Sequence, residues 1–457
     1  MKKNIFILIV AMCTLQLSAQ DKITLKWQVD DVVYPRFIIC AAVGDFTVNW
    51  GDGVIDTPPT YGGMLSHTYD STGEYEVVIT ASDTESKFSW INCINKQITE
   101  LSFFDCSNLM SVQCGFNMIT NLNLSGYVHL FNVECEENLL TNLDLSGCTA
   151  IKEINCFNNQ ITHLNVSGCD SLESLYCQNN QITNLNLTGC FSLFSLQCRN
   201  NKITNLDLSD CAALEELACG ENQITSLDLS NCLGLETLSC EDNLLTGFDL
   251  SNFGIINYLY CSNNQIKLPD LYATQLVINN YSGNHFGTQN LPNINANMNT
   301  ELFEDQSVIN GIYTEYSVSL NGSPAPQSNY TVKEGKLIFL KGGKYTVTMT
   351  NDAILAHEYN PAKVIVPLEV VPVGISENSI LQIEVYPNPT TGKLKIENGE
   401  LRIENVEIFD IYGKDLTPHT SYLLPHTSLD LSDLTSGIYF VKIYTESGIV
   451  TKKIIKH

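Results

Sequence analysis

The sequence predicts a mainly β protein: a solenoid with one parallel sheet and an extended or 3₁₀ convex side, flanked by β-sandwich domains. Two observations carry this. Cysteines recur every 21 residues, at Cys93, Cys114, Cys135, Cys156, Cys177, Cys198, Cys219, Cys240 and Cys261, and a second series lies 13 residues after the first, at Cys106, Cys148, Cys169, Cys190, Cys211 and Cys232. On either side of this array, short alternating apolar and polar runs are punctuated by glycine, which is the pattern of strands and turns. At roughly 100–200 residues per domain, 457 residues make several domains.

Composition narrows the function. Lys and Arg number 24 against 50 Asp and Glu, a formal charge of −26. Binding to a phosphate backbone needs basic patches, so nucleic acid is excluded as a partner. Apolar residues are 44% of the chain, enough for packed cores and too many for a disordered chain.

Residues 1–19 read as a secretion signal: Lys2 and Lys3, an apolar run from Ile5 to Met12, then Ser18 and Ala19 before the expected cut. Met12 occupies the position before Cys13 where a lipidation site needs a small residue. No later stretch approaches the roughly 18 apolar residues of a membrane span, so no membrane-spanning segment is expected.

Residues 20–84 come next. Phe46-Thr47-Val48-Asn49-Trp50 is a strand that runs into the turn Gly51-Asp52-Gly53, and His67-Thr68-Tyr69 and Gly73 to Thr80 supply returning strands. The W-G-D-G, H-T-Y and G-x-Y-x-V-x-I succession resembles a PKD-type β-sandwich, which implies a spacer or a module that contacts glycan or protein. Asp52 and His67 can be a metal or acid–base pair, or Asp52 can shape the turn while His67 steadies a strand end.

The repeats fill residues 85–295 together with their end caps. Leu172, Leu175, Cys177, Asn180, Ile182, Leu185 and Leu187 spell L-x-x-L-x-C-x-x-N-x-I-x-x-L-x-L. This resembles the leucine-rich repeat, in particular the cysteine-bearing repeats of internalin-like bacterial surface proteins, from Trp90 to Asn264. Lys96 departs from the pattern in the first unit, and Lys267 and Pro269 in the last. Alternation points Leu175 and Cys177 inward and Ser174, Tyr176 and Gln178 outward. Asn117, Asn138, Asn159, Asn180, Asn201, Asn222, Asn243 and Asn264 each follow a strand, where a buried amide can bond the backbone of its own and the next coil. Tyr127 and Phe253 replace cysteine in the second series, which marks those positions as apolar. In a parallel ladder equivalent Cβ atoms lie about 4.7–4.9 Å apart, too far for a disulfide, so free buried thiols are expected. The spacing offers no zinc ligand pairs.

Residues 296–373 suggest an Ig-like sandwich, with strands at Ser317–Leu320 and Val364–Val366 and a hairpin at Gly342-Gly343 joining Leu337–Leu340 to Lys344–Thr350. Residues 374–457 hold Tyr386-Pro387-Asn388-Pro389, then Ser436-Gly437-Ile438-Tyr439-Phe440-Val441, then Lys452-Lys453 near the end. That order resembles the type A C-terminal sorting domain of the type IX secretion system, which implies the secretion machinery as a partner and a location on the outer surface of a didermic bacterium or beyond it.

Catalytic motifs are lacking: the chain has no H-E-x-x-H, G-x-S-x-G, phosphate-binding G-x-x-x-x-G-K or C-x-x-C, and no enzyme activity, cofactor or metal is expected. His129 and His163 read as surface residues. What remains is the outer face of the sheet, where the positions three before, one before and one after each ladder cysteine give Trp90, Glu134, Glu136, Glu153, Phe157, Tyr176, Arg199, Glu216, Glu241, Tyr258 and Tyr260. Aromatics among acids point to a face for a protein or glycan partner. An accessory role in polysaccharide breakdown and a structural surface-layer role are the alternatives.

Overall fold

Nine short parallel strands lie side by side in the computed structural model, from Lys87–Asn92 through Ser111–Gln113 and Ser174–Tyr176 to Tyr258–Tyr260. The structure describes residues 20–31, 36–58, 62–250, 256–278, 285–354, 362–371, 383–397, 403–417, 427–445 and 448–457; the expected signal peptide, Phe253 and the start of the sorting domain at 374–382 lie outside them. Pairing stays in register by one repeat, with Trp90 beside Ser111, Asn132 beside Glu153 and Thr237 beside Tyr258. The fold is therefore mainly β, a leucine-rich-repeat solenoid.

The sequence builds each coil in two ways. Leucines and cysteines fill the interior, and all nine cysteines of the first series are 0% exposed. Asparagine closes the turn after each strand: the Asn180 amide donates to the carbonyls of Cys156 at 3.0 Å and Cys177 at 3.1 Å, while its Oδ1 accepts from the Ile161 N–H at 2.9 Å. The same three bonds recur from Asn117 to Asn264, so one side chain joins two coils. The residue before each amide has a positive φ, as at Asn179 (57°) and Asn200 (52°), a conformation asparagine tolerates well. On the convex side a second series of Asx turns forms, with Asp207 Oδ1 accepting from Ser209 N–H and Asp228 Oδ1 from Ser230 N–H. Among the described residues of the repeats that side carries turns and two short strands, Asn142–Asp144 and His163–Asn165, without a 3₁₀ helix.

At its start the solenoid continues into the N-terminal strands. Lys87–Asn92 pairs with the first repeat strand on one side and antiparallel with Arg36–Val43 on the other, and Gly62–His67 extends the sheet. Ile98–Phe104, on the opposite side of the first coil, pairs antiparallel with Lys22–Val29. Phe46 packs edge-on against Phe88, joining the two sheets, so the first coil's interior is covered. The expected boundary at residue 84 separates two sequence patterns that share their strands.

The other end continues into Leu268–Gln275, a short helix with Pro269 in its first turn, where a missing N–H is harmless. Thr288–Asn290 then pairs parallel with Lys363–Val371. In this region the expected hairpin at Gly342-Gly343 is not formed. Lys336–Phe339 pairs with Glu301–Leu302 and Tyr330–Lys333, whereas Gly343–Thr350 lies in another sheet beside Glu315–Leu320 and Lys363–Val371. The glycines carry the chain from one sheet to the other because Leu337, Val347 and Met349 are all buried.

The chain divides into two units, the first comprising Met1–Asn295, Glu301–Ile338 and Lys344–Glu369, the second Ala296–Thr300, Phe339–Gly343 and Val370–His457. In the second unit two three-stranded sheets form from residues 384–456 around Leu394, Ile396, Ile408, Val441, Ile443 and Ile454.

Candidate functional site

The concave sheet spans nine strands, a face about 40 Å long at about 4.8 Å per step. Of the expected face residues, Glu153, Glu216 and Tyr258 are exposed, Tyr258 at 47%. Trp90, Glu134, Phe157, Tyr176, Arg199, Glu241 and Tyr260 are half-buried. Tyr260 stacks on His285, with ring centroids 5.3 Å apart, which leaves its ring less available than that of Tyr258.

Glu136 is a correction. It is 6% exposed rather than outward, and its Oε2 is buried without a hydrogen-bond partner. Phe157, Arg199 and Glu241 hold the same position after their ladder cysteines and are half-buried, so the burial of Glu136 is local to its coil. At that position in the preceding coil stands Gly115, and a Cβ there would lie 2.4 Å from Glu136 Oε1, so the carboxylate occupies the hollow the glycine leaves. Burial, followed by the charges of Glu134 and Glu137, raises its pKa. Ser174 also proves buried, at 8%, as do its counterparts Ser111 and Ser195, because small side chains there sink among larger neighbours.

The polar face is internally bonded elsewhere. Glu134 Oε1 accepts from the amides of Gln113 at 2.8 Å and Asn132 at 3.0 Å. Arg199 donates through Nη2 to Glu221 at 2.6 Å and through Nη1 to Glu241, and the Ser239 hydroxyl donates to the second oxygen of Glu241 at 2.6 Å. Exposed apolar residues line the margins of the sheet: Met110, Phe131 and Phe194 before the strands, and Phe116, Met118 and Leu139 after them. The sequence reading missed these because they occupy positions four before and two or four after the cysteine, outside the three it considered.

Thiols do not add a reactive centre. All sixteen described cysteines are free and buried, and burial pushes Cys93, Cys156 and Cys261 up to about 12. Among the described residues no group of three His, Cys, Asp or Glu side chains is placed to hold a metal. His67 Nε2 meets Asp52 Oδ2 at 2.6 Å and stacks on Trp50 at 5.0 Å, while Asp52 Oδ1 accepts from the Val54 N–H; the pair thus joins a turn to a strand end. His129 and His163 are exposed.

In the terminal domain the parts of the expected sorting signal meet. Asn388 Nδ2 donates to the Lys453 carbonyl at 2.6 Å and Asn388 Oδ1 accepts from the Ile455 N–H at 2.8 Å, so the Y-P-N-P segment flanks the last strand. Pro387 and Pro389 are exposed, Tyr386 and Lys452 half-buried, and Lys453 exposed. Gly437 opens the strand that carries Tyr439, a core residue whose hydroxyl donates to the Thr435 carbonyl at 2.7 Å.

Residues 384–457 match the family model described as a secretion system C-terminal sorting domain. The chain therefore carries a secretion sorting domain. No curated protein matches the chain. Among solved structures it is similar to the functional domain of InlJ from Listeria monocytogenes, which includes a cysteine ladder, at 20% identity and a TM-score of 0.29, covering 62% of this chain and 81% of that one. It is also similar to InlP from Listeria monocytogenes, at 17% identity and a TM-score of 0.35, covering 58% and 75%. YopM, a leucine-rich effector protein from Yersinia pestis, is 17% identical with a TM-score of 0.32, covering 46% and 62%. The solenoid assignment itself rests on the parallel pairing and the repeated asparagine bonds. No helix among the described residues is long and apolar enough to cross a membrane.

Proposed function

We propose that this secreted chain is a noncatalytic binding protein of the cell surface, exported by type IX secretion, that takes a protein partner along its concave sheet. The observation that carries this reading is the combination of Phe157, Tyr176 and Tyr258 with the exposed carboxylates of Glu153 and Glu216 on one continuous face. Half-exposed aromatics supply large contact area at low entropic cost, and the polar residues around them set orientation. The N-terminal strands, PKD-like in sequence, serve in this reading as the cap of the first coil.

Export delivers the face to the outside: the N-terminal signal takes the chain across the inner membrane, and the sorting domain takes it across the outer one. The mature protein stays on the surface or is released there. Screening residues 20–457 against purified extracellular proteins and an oligosaccharide array tests the reading. Saturable protein binding at the sheet supports it. Binding of oligosaccharides alone would replace it with the accessory role, and binding of neither with the surface-layer role.

A further inference from the structure

The terminal domain holds an open cleft of about 370 Å³ between two turns. Ile411 and Tyr412 stand on one wall, Leu434, Gly437 and Ile438 on the other. Ile411, Tyr412 and Ile438 are all exposed, Tyr412 at 87%, so three large side chains crowd one opening and stay in water.

Both walls are fixed by their own hydrogen bonds. The Asp410 carboxylate accepts from the N–H groups of Tyr412 and Lys414, each at 2.9 Å, and Gly413 takes the positive φ of 82° that completes the turn. Opposite, the Tyr439 hydroxyl donates to the Thr435 carbonyl at 2.7 Å, and the Leu434 N–H to the Leu431 carbonyl at 3.0 Å. The backbone of its turn, rather than packing of its ring, thus holds Tyr412 in place. Clustered exposed apolar side chains mark interaction sites in soluble domains, and an aromatic on a rigid support anchors a partner with little entropy to lose.

What covers the cleft follows from the domain that carries it. Residues 384–457 match a secretion system C-terminal sorting domain, and a sorting domain acts by being recognised. The strand start at Gly437, which belongs to the order of residues that resembles such a domain, runs along the cleft. Charge gives the partner its chemistry. Among the described residues of the lining are two carboxylates, Asp410 and Asp433, and no Lys, Arg or His. Asp410 is engaged by its own turn, whereas Asp433 is exposed at the rim and suits a cation that accompanies the apolar contact.

We propose that this cleft is the surface by which the secretion machinery takes hold of the chain, and that the machinery seats an apolar or aromatic side chain between Tyr412 and Ile438 with a lysine or arginine beside it facing Asp433. The proposal rests on the export reading above and gives the recognition a place within the domain.

The test expresses the full chain in cells that have a type IX secretion system and fractionates them with an antibody to the solenoid. Three changes probe the cleft: Tyr412→Ser, Ile411→Ser combined with Ile438→Ser, and Asp433→Lys. Ile449→Ser, exposed on the last strand and outside the cleft, is the control, and deletion of residues 379–457 marks full loss. Each cleft change should lower the surface amount, Tyr412→Ser by at least about tenfold, while Tyr412→Phe and Ile449→Ser leave it normal. Melting of residues 20–457 carrying the same changes checks that the trapped chain is folded, and Tyr412, whose side chain stands in solvent, gives the arm that does not act through the core. Normal surface amounts for any of the three cleft changes, or a loss as large with Ile449→Ser, overturns the proposal. If the cleft variants export normally while the deletion does not, the export reading stands and the cleft falls; if the deletion also exports normally, both fall.

Discussion

The side-chain amide of Gln289 donates to the Cys261 carbonyl at 2.9 Å and so continues the asparagine ladder one coil past Asn264. It also donates to the Phe286 carbonyl at 2.7 Å and accepts from the Ile266 N–H at 3.3 Å, the same three kinds of bond that each asparagine makes. Gln289 is 0% exposed, and the strand it sits on pairs onward with Lys363–Val371. The solenoid thus ends in a cap that speaks its own hydrogen-bond pattern.

Replacing Gln289 with leucine leaves the Ile266 N–H and the Cys261 carbonyl without these partners in a buried place. Stability should fall by about 1–3 kcal/mol, the cost of an unsatisfied buried group. Urea unfolding followed by circular dichroism measures this, and an unchanged midpoint would mean that the cap draws its stability from packing alone.

How far the sequence foretold this architecture depends on which signal each element leaves. The cysteine and asparagine positions were legible because every coil repeats the same burial, and a periodic constraint shows in a single sequence. Gln289 was not, because its coil is longer and lacks the cysteine that marks the others. The strands Lys22–Val29 and Ile98–Phe104 were assigned to different domains, since a strand's alternation records which face is buried and says nothing of its neighbour. Alternation places Phe157, Arg199 and Glu241 correctly on the face but fails for Glu136, because the hollow that takes its carboxylate is set by Gly115, 21 positions away in sequence. Aromatics on the face were found by position, but which of them stay open, as Tyr258 does and Tyr260 does not, depends on His285 in the cap.

The thiol ladder should make the fold sensitive to alkali. A cysteine of an unfolded chain ionises near pH 8.5, whereas Cys93 and Cys156 are held at about 12 by burial. The folded state keeps protons that the unfolded state loses, so stability is intact below about pH 8.5 and declines as pH rises from there toward 12. Thermal melts at pH 7, 9 and 10.5 should show a falling midpoint, and a thiol reagent at pH 8 should label few cysteines before denaturation and most after it. Extensive labelling of the native protein, or disulfides found on denaturation, would contradict free, packed thiols.

Glu136 gives a test of the same sign in the carboxylate range. Its raised pKa means that the folded state favours the protonated acid, so its contribution is most favourable at acid pH and declines as pH rises through the carboxylate range. Glu136→Gln should therefore stabilise by about 1 kcal/mol at pH 7 and by less at pH 4. Equal effects at the two pH values would show that its carboxylate is solvated.

On the proposed reading, export depends on the terminal domain, which matches a sorting-domain family over residues 384–457. A chain lacking residues 379–457 should accumulate in the periplasm with its solenoid folded, because the repeats have their own core. Asn388→Ala, which removes both bonds to the last strand, should destabilise the sorting domain by about 1–2 kcal/mol and lower the amount exported. Cell fractionation with an antibody to the solenoid reads both, and normal surface amounts of the truncated chain would make the domain dispensable for export.

The claim on which the rest depends is that the concave sheet is the binding surface. It is tested most directly by comparing residues 20–457 with the same chain carrying Phe157→Ala, Tyr176→Ala and Tyr258→Ala, in titration calorimetry against any ligand recovered from the protein and glycan screens. Loss of at least about tenfold in affinity with an unchanged melting curve is the predicted result. Equal affinity in the two proteins would contradict it and move the site off the sheet.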